Sequence, residues 1–309
     1  MTRIALATCA ALPHLDSEDT PLLTTLAAAG ATAEAAVWDD PAVDWSSYDL
    51  VVIRSAWDYA QRRDEFLDWT ARVEAVTQLA NPSTVVRWNT DKHYLAELER
   101  AGVRVVPTTW LEPERQFSSR ALHTRFPAGG EFVIKPAVSA GSIDTGRYTA
   151  IDAQSRGLAI SHAKRLLEAG RTVMVQRYLT SVDTVGERAH VFVDGEHSHS
   201  VLKGAMLDGP DVAVDGVYKE ERMSPVDASP EEIAMSQEVI ATARRLLSAG
   251  SAEDARPFLY ARVDVVSDDD GRPVLMELEM VEPSLFVSLS DGALERLTDA
   301  IVARAGALR

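Results

Sequence analysis

The chain has 309 residues, 46% of them hydrophobic and 25% charged, with a formal net charge of −16 and a single cysteine. That length suits two or three domains with a substantial core, and the charge argues against a partner bound through the nucleic-acid backbone, which needs a basic face. A lone Cys9 excludes an intrachain disulfide and fits a reducing compartment; with no stretch near the ~20 apolar residues of a membrane span, no membrane partner and a cytoplasmic location are expected.

In chain order, residues 3–8 read as a buried first strand, since the apolar run is short for a signal peptide. Residues 21–29 read as a helix, with Thr20 as cap, Pro21 in its first turn and Gly30 as its stop. Strands follow at 33–37 and 50–54, helices at 64–79 and 91–101, and a strand at 103–106. Such alternation predicts βαβ units, a parallel sheet, and ligand binding at the carboxyl ends of its strands. Arg54, Trp57 and Asp58 stand at one such end. From about residue 107 the pattern changes to strands with hairpin-like turns: a strand at 131–135, a small-residue loop at 138–146, a helix at 156–169, a strand at 172–176, and a hairpin over 189–203 turned at Asp194-Gly195. Ser229-Pro-Glu-Glu232 is a capping box that opens a helix running to Gly250, and a last helix spans 294–305. The fold class is α/β followed by α+β.

The stretch Val274-Leu-Met-Glu-Leu-Glu-Met-Val-Glu-Pro283 reads as a strand carrying acid where apolar residues are expected. Alternation places Met276, Leu278 and Met280 on one face and Glu277 and Glu279 on the other, where two like charges call for a cation between them. Upstream lie Phe258-Leu-Tyr-Ala-Arg-Val-Asp-Val-Val266 and the turn Asp268-Asp-Asp-Gly-Arg-Pro273. A symmetric hairpin sets Asp264 opposite Glu277 and Arg262 opposite Glu279, whereas a one-residue slip turns Asp264 away. Converging carboxylates of this kind suit Mg²⁺ or Mn²⁺. Two other readings compete: a solvated strand face, and an EF-hand-like loop with Asp268, Asp270, Gly271 and Glu277 in ligand positions, against which stand Val266 at its first position and strand-like flanks. Glu282 falls with Met280's face, outside the metal set, and is assigned to substrate as the strand ends.

Phe132-Val-Ile-Lys135-Pro-Ala-Val-Ser139-Ala-Gly141-Ser142 ends a strand in a lysine and a small-residue loop, which sets one cation and several backbone N–H groups against phosphates, or else is a plain surface loop. No GxxxxGK[ST] and no GxGxxG occurs. Lys92, Lys203, Gln176, Tyr178, Leu179 and Glu187 are each unremarkable taken singly.

Their order along the chain is informative. The succession Lys92, Lys135 with its loop, Gln176-Arg-Tyr-Leu179, Gly186-Glu187, Lys203, Asp264 and Glu277-Leu-Glu279 resembles the ATP-grasp superfamily over residues 85–290. The resemblance implies an ATP-grasp fold with a Rossmann-like pre-ATP-grasp domain at 1–106, a lid and nucleotide-flap subdomain at 107–176, and a metal-bearing domain at 177–309. It further implies that Lys92 and Lys135 contact the α- and β-phosphates of ATP, and that the loop with Ser139, Gly141 and Ser142 covers them. By the same likeness Gln176, Tyr178 and Leu179 hold adenine, Glu187 the ribose, Lys203 the γ-phosphate or an acyl phosphate, and Asp264, Glu277 and Glu279 two Mg²⁺ ions. Many members carry Glu-x-Asn where this chain has Glu277-Leu-Glu279, and glutathione synthetase-like members carry an arginine where this chain has Ala189.

Arg54-Ser-Ala-Trp57-Asp-Tyr59, Gly186-Glu-Arg-Ala-His-Val-Phe-Val-Asp-Gly-Glu196 and Glu277-Leu-Glu-Met-Val-Glu-Pro-Ser-Leu-Phe286 are similar to the ATP-grasp group that includes the O-ureido-serine cyclo-ligase of D-cycloserine biosynthesis. That likeness implies a carboxylate activated as an acyl phosphate and attacked by nitrogen, within one molecule or, as the alternative, between two. A non-catalytic nucleotide- or metal-binding module is the reading from another class. Arg54, Trp57, Asp58, Arg262 and Glu282 are the residues expected to grip a small amino-acid-like substrate, Arg262 as a fork on its carboxylate. A homodimer is the ordinary expectation for assembly.

Overall fold

The computed structural model describes residues 2–205, 207, 209–211, 222–248 and 256–306. Strands β1 (Arg3–Thr8), β2 (Thr32–Val37), β3 (Leu50–Ile53) and β4 (Gln78–Ala80) form a parallel sheet in the order β2-β1-β3-β4. β3 is apolar and buried throughout because both faces of the sheet are covered. Ile4, Leu6, Leu50 and Val52 pack with Leu22 and Leu26 of the Pro21–Ala28 helix, while Ala5, Ala7, Val51 and Ile53 pack with Phe66 and Trp69 of the Arg63–Glu74 helix.

Several local expectations change here. The helix expected over 64–79 stops at Glu74, and Gln78–Ala80 becomes the fourth strand: three residues carry no readable period, and pairing with β3 decides. A helix at Ser83–Asn89 was not foreseen, and the one expected over 91–101 shrinks to Tyr94–Arg100, leaving Lys92 just ahead of it. The Thr20 hydroxyl donates to Asp16 O instead of capping the helix. In place of a strand at 103–106 there is a single parallel bridge, Val105 to Leu275.

β5 (Thr108–Leu111), β6 (Glu131–Pro136), β7 (Gly146–Thr149) and β8 (Val173–Arg177) form an antiparallel sheet, order β5-β8-β6-β7. Phe132, Ile134, Val173 and Val175 pack against Ala159, Ala163 and Leu166 of the Ala153–Glu168 helix. By alternation, Val133, Lys135 and Gln176 are left on the other face, where they line a cavity.

The third sheet is antiparallel: β9 (Glu187–Val193), β10 (Glu196–Lys203), β11 (Met223–Pro225), β12 (Tyr260–Ser267) and β13 (Pro273–Glu279), order β11-β10-β9-β12-β13. Asp194 and Gly195, at φ +48° and +87°, make the expected two-residue hairpin turn. The capping box at Ser229 and Glu232 opens the Pro230–Leu247 helix, and Glu232 also accepts from Arg188 Nη1 at 2.7 Å. The expected end of that helix at Gly250 lies outside the described residues. Phe192, Val263, Leu275 and Leu278 pack with Val239 of this helix and with Leu95 and Leu98. The Ala293–Gly306 helix returns to the first sheet, where Leu297 and Ile301 join its core and Thr298 Oγ1 lies 2.7 Å from Thr25 Oγ1. Among the described residues no helix is long and apolar enough to cross a membrane.

His190 on β9 is fully buried; its Nδ1 lies 2.8 Å from Ser200 Oγ, and its Nε2 has no partner among the described residues. Burial drives its pKa down to about 4 from the usual 6.5. Between those values the unfolded chain binds a proton that the folded chain does not. Stability is therefore present above pH 6.5 and lost as pH falls toward 4, by about 3 kcal/mol. Denaturant titrations across that window should show this slope reduced in His190→Gln; an unchanged slope would assign it elsewhere, for instance to His162, which burial also lowers to about 4.

Candidate active site

The acidic strand sits where the hairpin reading requires. Arg262 pairs with Glu279 and Asp264 with Glu277 across β12 and β13. The turn alone does not set that register: Ser267 faces Pro273 and Val265 faces Leu275, and a bulge at Met276 restores the alignment of the acids. The same bulge moves Met276 off the face it was expected to share with Leu278 and Met280. It lies instead beside Glu277 on the cavity wall, against Val106, Leu179, Val266 and Val274. At the turn, Asp268 Oδ1 accepts from the backbone N–H of Asp270 and Arg272, each at 2.9 Å, between two strands, which rules out the EF-hand reading.

β13 is an edge strand whose free backbone groups are met by side chains. Leu278 N donates to Tyr94 Oη at 3.0 Å, Asn89 Nδ2 to Leu278 O at 2.8 Å, Met280 N to Asn89 Oδ1 at 2.7 Å, and Asn81 Nδ2 to Met280 O at 2.7 Å. Glu279 is thereby clamped on both sides. Nothing in the spacing of Asn81 and Asn89 signalled this role.

The cations converge on the acids. Lys92 Nζ reaches Glu277 Oε1 at 3.0 Å and Ser139 O at 2.9 Å. Lys203 Nζ bonds Glu187 Oε1 at 2.7 Å and Asp264 Oδ2 at 3.1 Å. Arg262 grips Asp264 through Nε and Nη2, each at 2.8 Å, and also bonds Glu279 and Ser284 O. The fork expected to hold a substrate carboxylate is thus closed on the protein's own. Burial acts against the charge of Asp264, yet Arg262 and Lys203 hold it well below the usual carboxylate range. Glu277 is also raised by burial and lowered further by Lys92 and Lys135, with a net fall. Glu279 goes the other way: burial, with Glu277 and Asp264 beside it, outweighs Arg262 and lifts it to about 8. Burial lifts Glu187 to about 7 against Lys203, and pushes the Lys135 ammonium below its ordinary value.

A cavity of about 410 Å³ lies between the second and third sheets and reaches the first. Lys92, Lys135, Lys203, Glu187, Glu277 and Glu279 line it, with Arg262; Asp264, 1% exposed, lies beneath. The loop wall is Ser139, Gly141, Ser142 and Thr145, with Gly141 and Ser142 at φ +60° and +56°. Arg171 fastens this loop from behind, through Asp144 and through Val138 O at 3.0 Å. Gln176, Tyr178 and Leu179 also line the cavity. The Gln176 amide donates to Thr108 Oγ1 at 2.9 Å, and Tyr178 is fixed by Asp183 at 2.5 Å and by the Arg147 guanidinium 3.6 Å over its ring.

Two of the expected substrate residues lie elsewhere. Arg54 is 1% exposed, bonded to Asp19 at 2.9 Å and Pro283 O at 2.7 Å, and stacked on Tyr260. Asp58 accepts from Trp38 Nε1 at 2.9 Å and faces Arg62. Neither lines the cavity: Arg54 is held in the core by Asp19, and Asp58 points to Trp38 and Arg62, while Trp57 and Tyr59 beside them do face it. Trp57 and Glu282 do line the cavity, joined through Trp57 Nε1 to Glu282 O at 2.9 Å. Tyr59, Asp16, Ser17, Glu18 and Phe286 line it as well and were not assigned; Tyr59 and Phe286 stood in stretches already singled out.

A parallel α/β layer ahead of two antiparallel sheets that close on acids and lysines is the architecture of an ATP-grasp ligase. D-alanine–D-alanine ligase from Bacillus anthracis, in complex with ATP, shares this fold at a TM-score of 0.65 and 14% identity, over 100% of this chain and 98% of that one. The chain belongs to the DcsG family. It is 37% identical over 303 residues to the cycloserine biosynthesis protein DcsG of Streptomyces lavendulae, covering 97% of this chain and 98% of the relative. The crystal structure of D-cycloserine synthetase DcsG superposes at a TM-score of 0.85 with 36% identity, over 98% of this chain and 99% of that one. Residues 4–81 match the N-terminal domain that characterises D-cycloserine synthetase DcsG.

Proposed function

We propose that this ligase uses ATP and Mg²⁺ to activate a substrate carboxylate as an acyl phosphate, and that the attacking nitrogen lies in the same molecule: O-ureido-D-serine closes to D-cycloserine as phosphate leaves the acyl carbon, and its carbamoyl unit is lost by hydrolysis as CO₂ and ammonia. The observation that carries the chemistry is the placement of Lys92, Lys135 and Lys203 against Asp264, Glu277 and Glu279 around one cavity. The likeness to DcsG along the whole chain supports the substrate.

The donor set fits the metal. Glu277 and Glu279 both face the cavity, and burial lifts Glu279 to about 8 in spite of its ion pair with Arg262. Among the described residues no three His, Cys, Asp or Glu side chains hold an ion by themselves; Mg²⁺ typically takes one or two carboxylates, with phosphate and water oxygens completing its shell. Glu277 and Glu279, which face the cavity, would hold it with Asp264 behind them, and when bound it would supply charge neutralisation to the phosphates. Lys135 is buried and in no ion pair among the described residues, which leaves its ammonium for an anion. Lys92 and Lys203 hold carboxylates until phosphate oxygens compete for them. The loop with Ser139, Gly141 and Ser142 lines the same space and would shield an acyl phosphate there from water.

Incubation with ATP, Mg²⁺ and O-ureido-D-serine should release ADP and phosphate and give D-cycloserine by mass spectrometry. Turnover with pairs of amino acids and none with this compound would replace the cyclisation by an intermolecular ligation. ATP binding with no turnover on any candidate would leave a binding module.

A further inference from the structure

Where the first sheet meets the acidic strand, the cavity wall is Trp57, Tyr59 and Glu282, with Asp16 and Glu18 from the loop after β1. Glu282 is 7% exposed, and its Oε2 has no hydrogen-bond partner among the described residues. The Tyr59 side chain lines the same wall, with its hydroxyl next to the carboxyl. Three successive carbonyls fix the backbone there: Val281 O accepts from Tyr260 Oη at 2.9 Å, Glu282 O from Trp57 Nε1 at 2.9 Å, and Pro283 O from Arg54 Nη2 at 2.7 Å. The nearby cations are engaged elsewhere, Lys92 on Glu277 and Arg262 on Asp264 and Glu279. Among the described residues Glu282 forms no ion pair, and Lys92 and Arg262 act on it only from a distance; a buried carboxyl so placed costs free energy, so a position built this firmly around one implies a donor that arrives with a ligand.

We propose that Glu282 is a specificity-determining residue that receives the α-ammonium of an amino-acid substrate, its carboxylate taking an N–H of that group while Tyr59 holds it in place. The reading rests on the ligase proposed above and names what its substrate must carry: a free primary amine near the carboxylate that is activated. A compact ammonium suits a site whose other acids, Asp16 and Glu18, add negative charge and which Trp57 and Phe286 bound with apolar surface. Burial lifts the empty Glu282 carboxyl to about 7, and an ammonium would return it to the ionised form.

Calorimetric titration of the enzyme, with Mg²⁺ and a non-hydrolysable ATP analogue present, tests this with two probes: O-ureido-D-serine and its des-amino counterpart 3-(ureidooxy)propanoate. Wild type should prefer the amine-bearing compound on the order of tenfold to a hundredfold. Glu282→Gln should bring that ratio close to one by weakening the amine-bearing compound alone, with nucleotide affinity unchanged, and Tyr59→Phe should lower it part of the way. Equal affinities in wild type, or a ratio retained in Glu282→Gln, would overturn the proposal. So would failure of the wild type to bind O-ureido-D-serine or any of D-serine, L-serine and D-alanine. The wild-type ratio stands as a test even where a variant fails to fold. ADP release measured in parallel reports on the ligase chemistry separately: discrimination without turnover counts against that chemistry alone.

Discussion

Glu277→Gln is expected to lower ADP release by ~1,000-fold or more while leaving the fold intact, since metal-assisted charge neutralisation contributes several kcal/mol at about 1.4 kcal/mol per factor of ten. Two things change at once. The carboxylate that Lys92 and Lys135 keep ionised is lost from the cation-binding face, and the charge on Lys92 is no longer balanced. The amide keeps an oxygen for Lys92, and Tyr94 and Asn89 still hold the strand through its backbone, so circular dichroism and the unfolding midpoint should stay near wild type. Wild-type turnover in this variant would remove Glu277 from the metal set.

Asp19→Ala should destabilise the protein by about 3–5 kcal/mol, the usual cost of leaving one partner of a buried ion pair behind. Asp19 and Arg54 are 5% and 1% exposed, and Asp19 also accepts from Ser55 Oγ at 2.9 Å. Its loss leaves the guanidinium with Pro283 O and the Tyr260 ring. Replacing both partners by apolar residues, Asp19→Leu with Arg54→Met, should cost far less, and chemical denaturation of the single and double variants measures the difference. A loss under ~1 kcal/mol in Asp19→Ala, together with a raised KM for substrate, would restore Arg54 to the substrate residues.

Those two residues mark how far the sequence can be read. The place of Glu277 in the cavity wall was legible because an acid pair inside an apolar strand violates the pattern of its surroundings, and because a strand with Asp264 and a turn precede it, although a one-residue slip was equally open. The bulge at Met276 that aligns them was not legible, since a bulge leaves no composition of its own. Arg54 was misread for the opposite reason: an arginine at a strand's carboxyl end signals a ligand only if it faces out, and its partner Asp19 sits 35 positions away in another loop. The lysines became informative only as an ordered set, each alone being indistinguishable from a solvated one. Short elements such as Gln78–Ala80 and the bridge at Val105 are set by neighbours in space, which local period does not report.

The return of the last helix to the first sheet has a mechanical consequence. One continuous core runs from Ile4 and Leu26 through Val191 and Tyr260 to Ile301, so the N-terminal layer and the acidic sheet share their buried residues. The second sheet packs on two sides: residues between Leu111 and Val175 form one core with its own helix, while Met174 and Ala137 join the core of the third sheet and the Pro230–Leu247 helix. Glu277, Glu279 and Glu282 thus stand on a frame that the first and the last elements of the chain hold together from both ends.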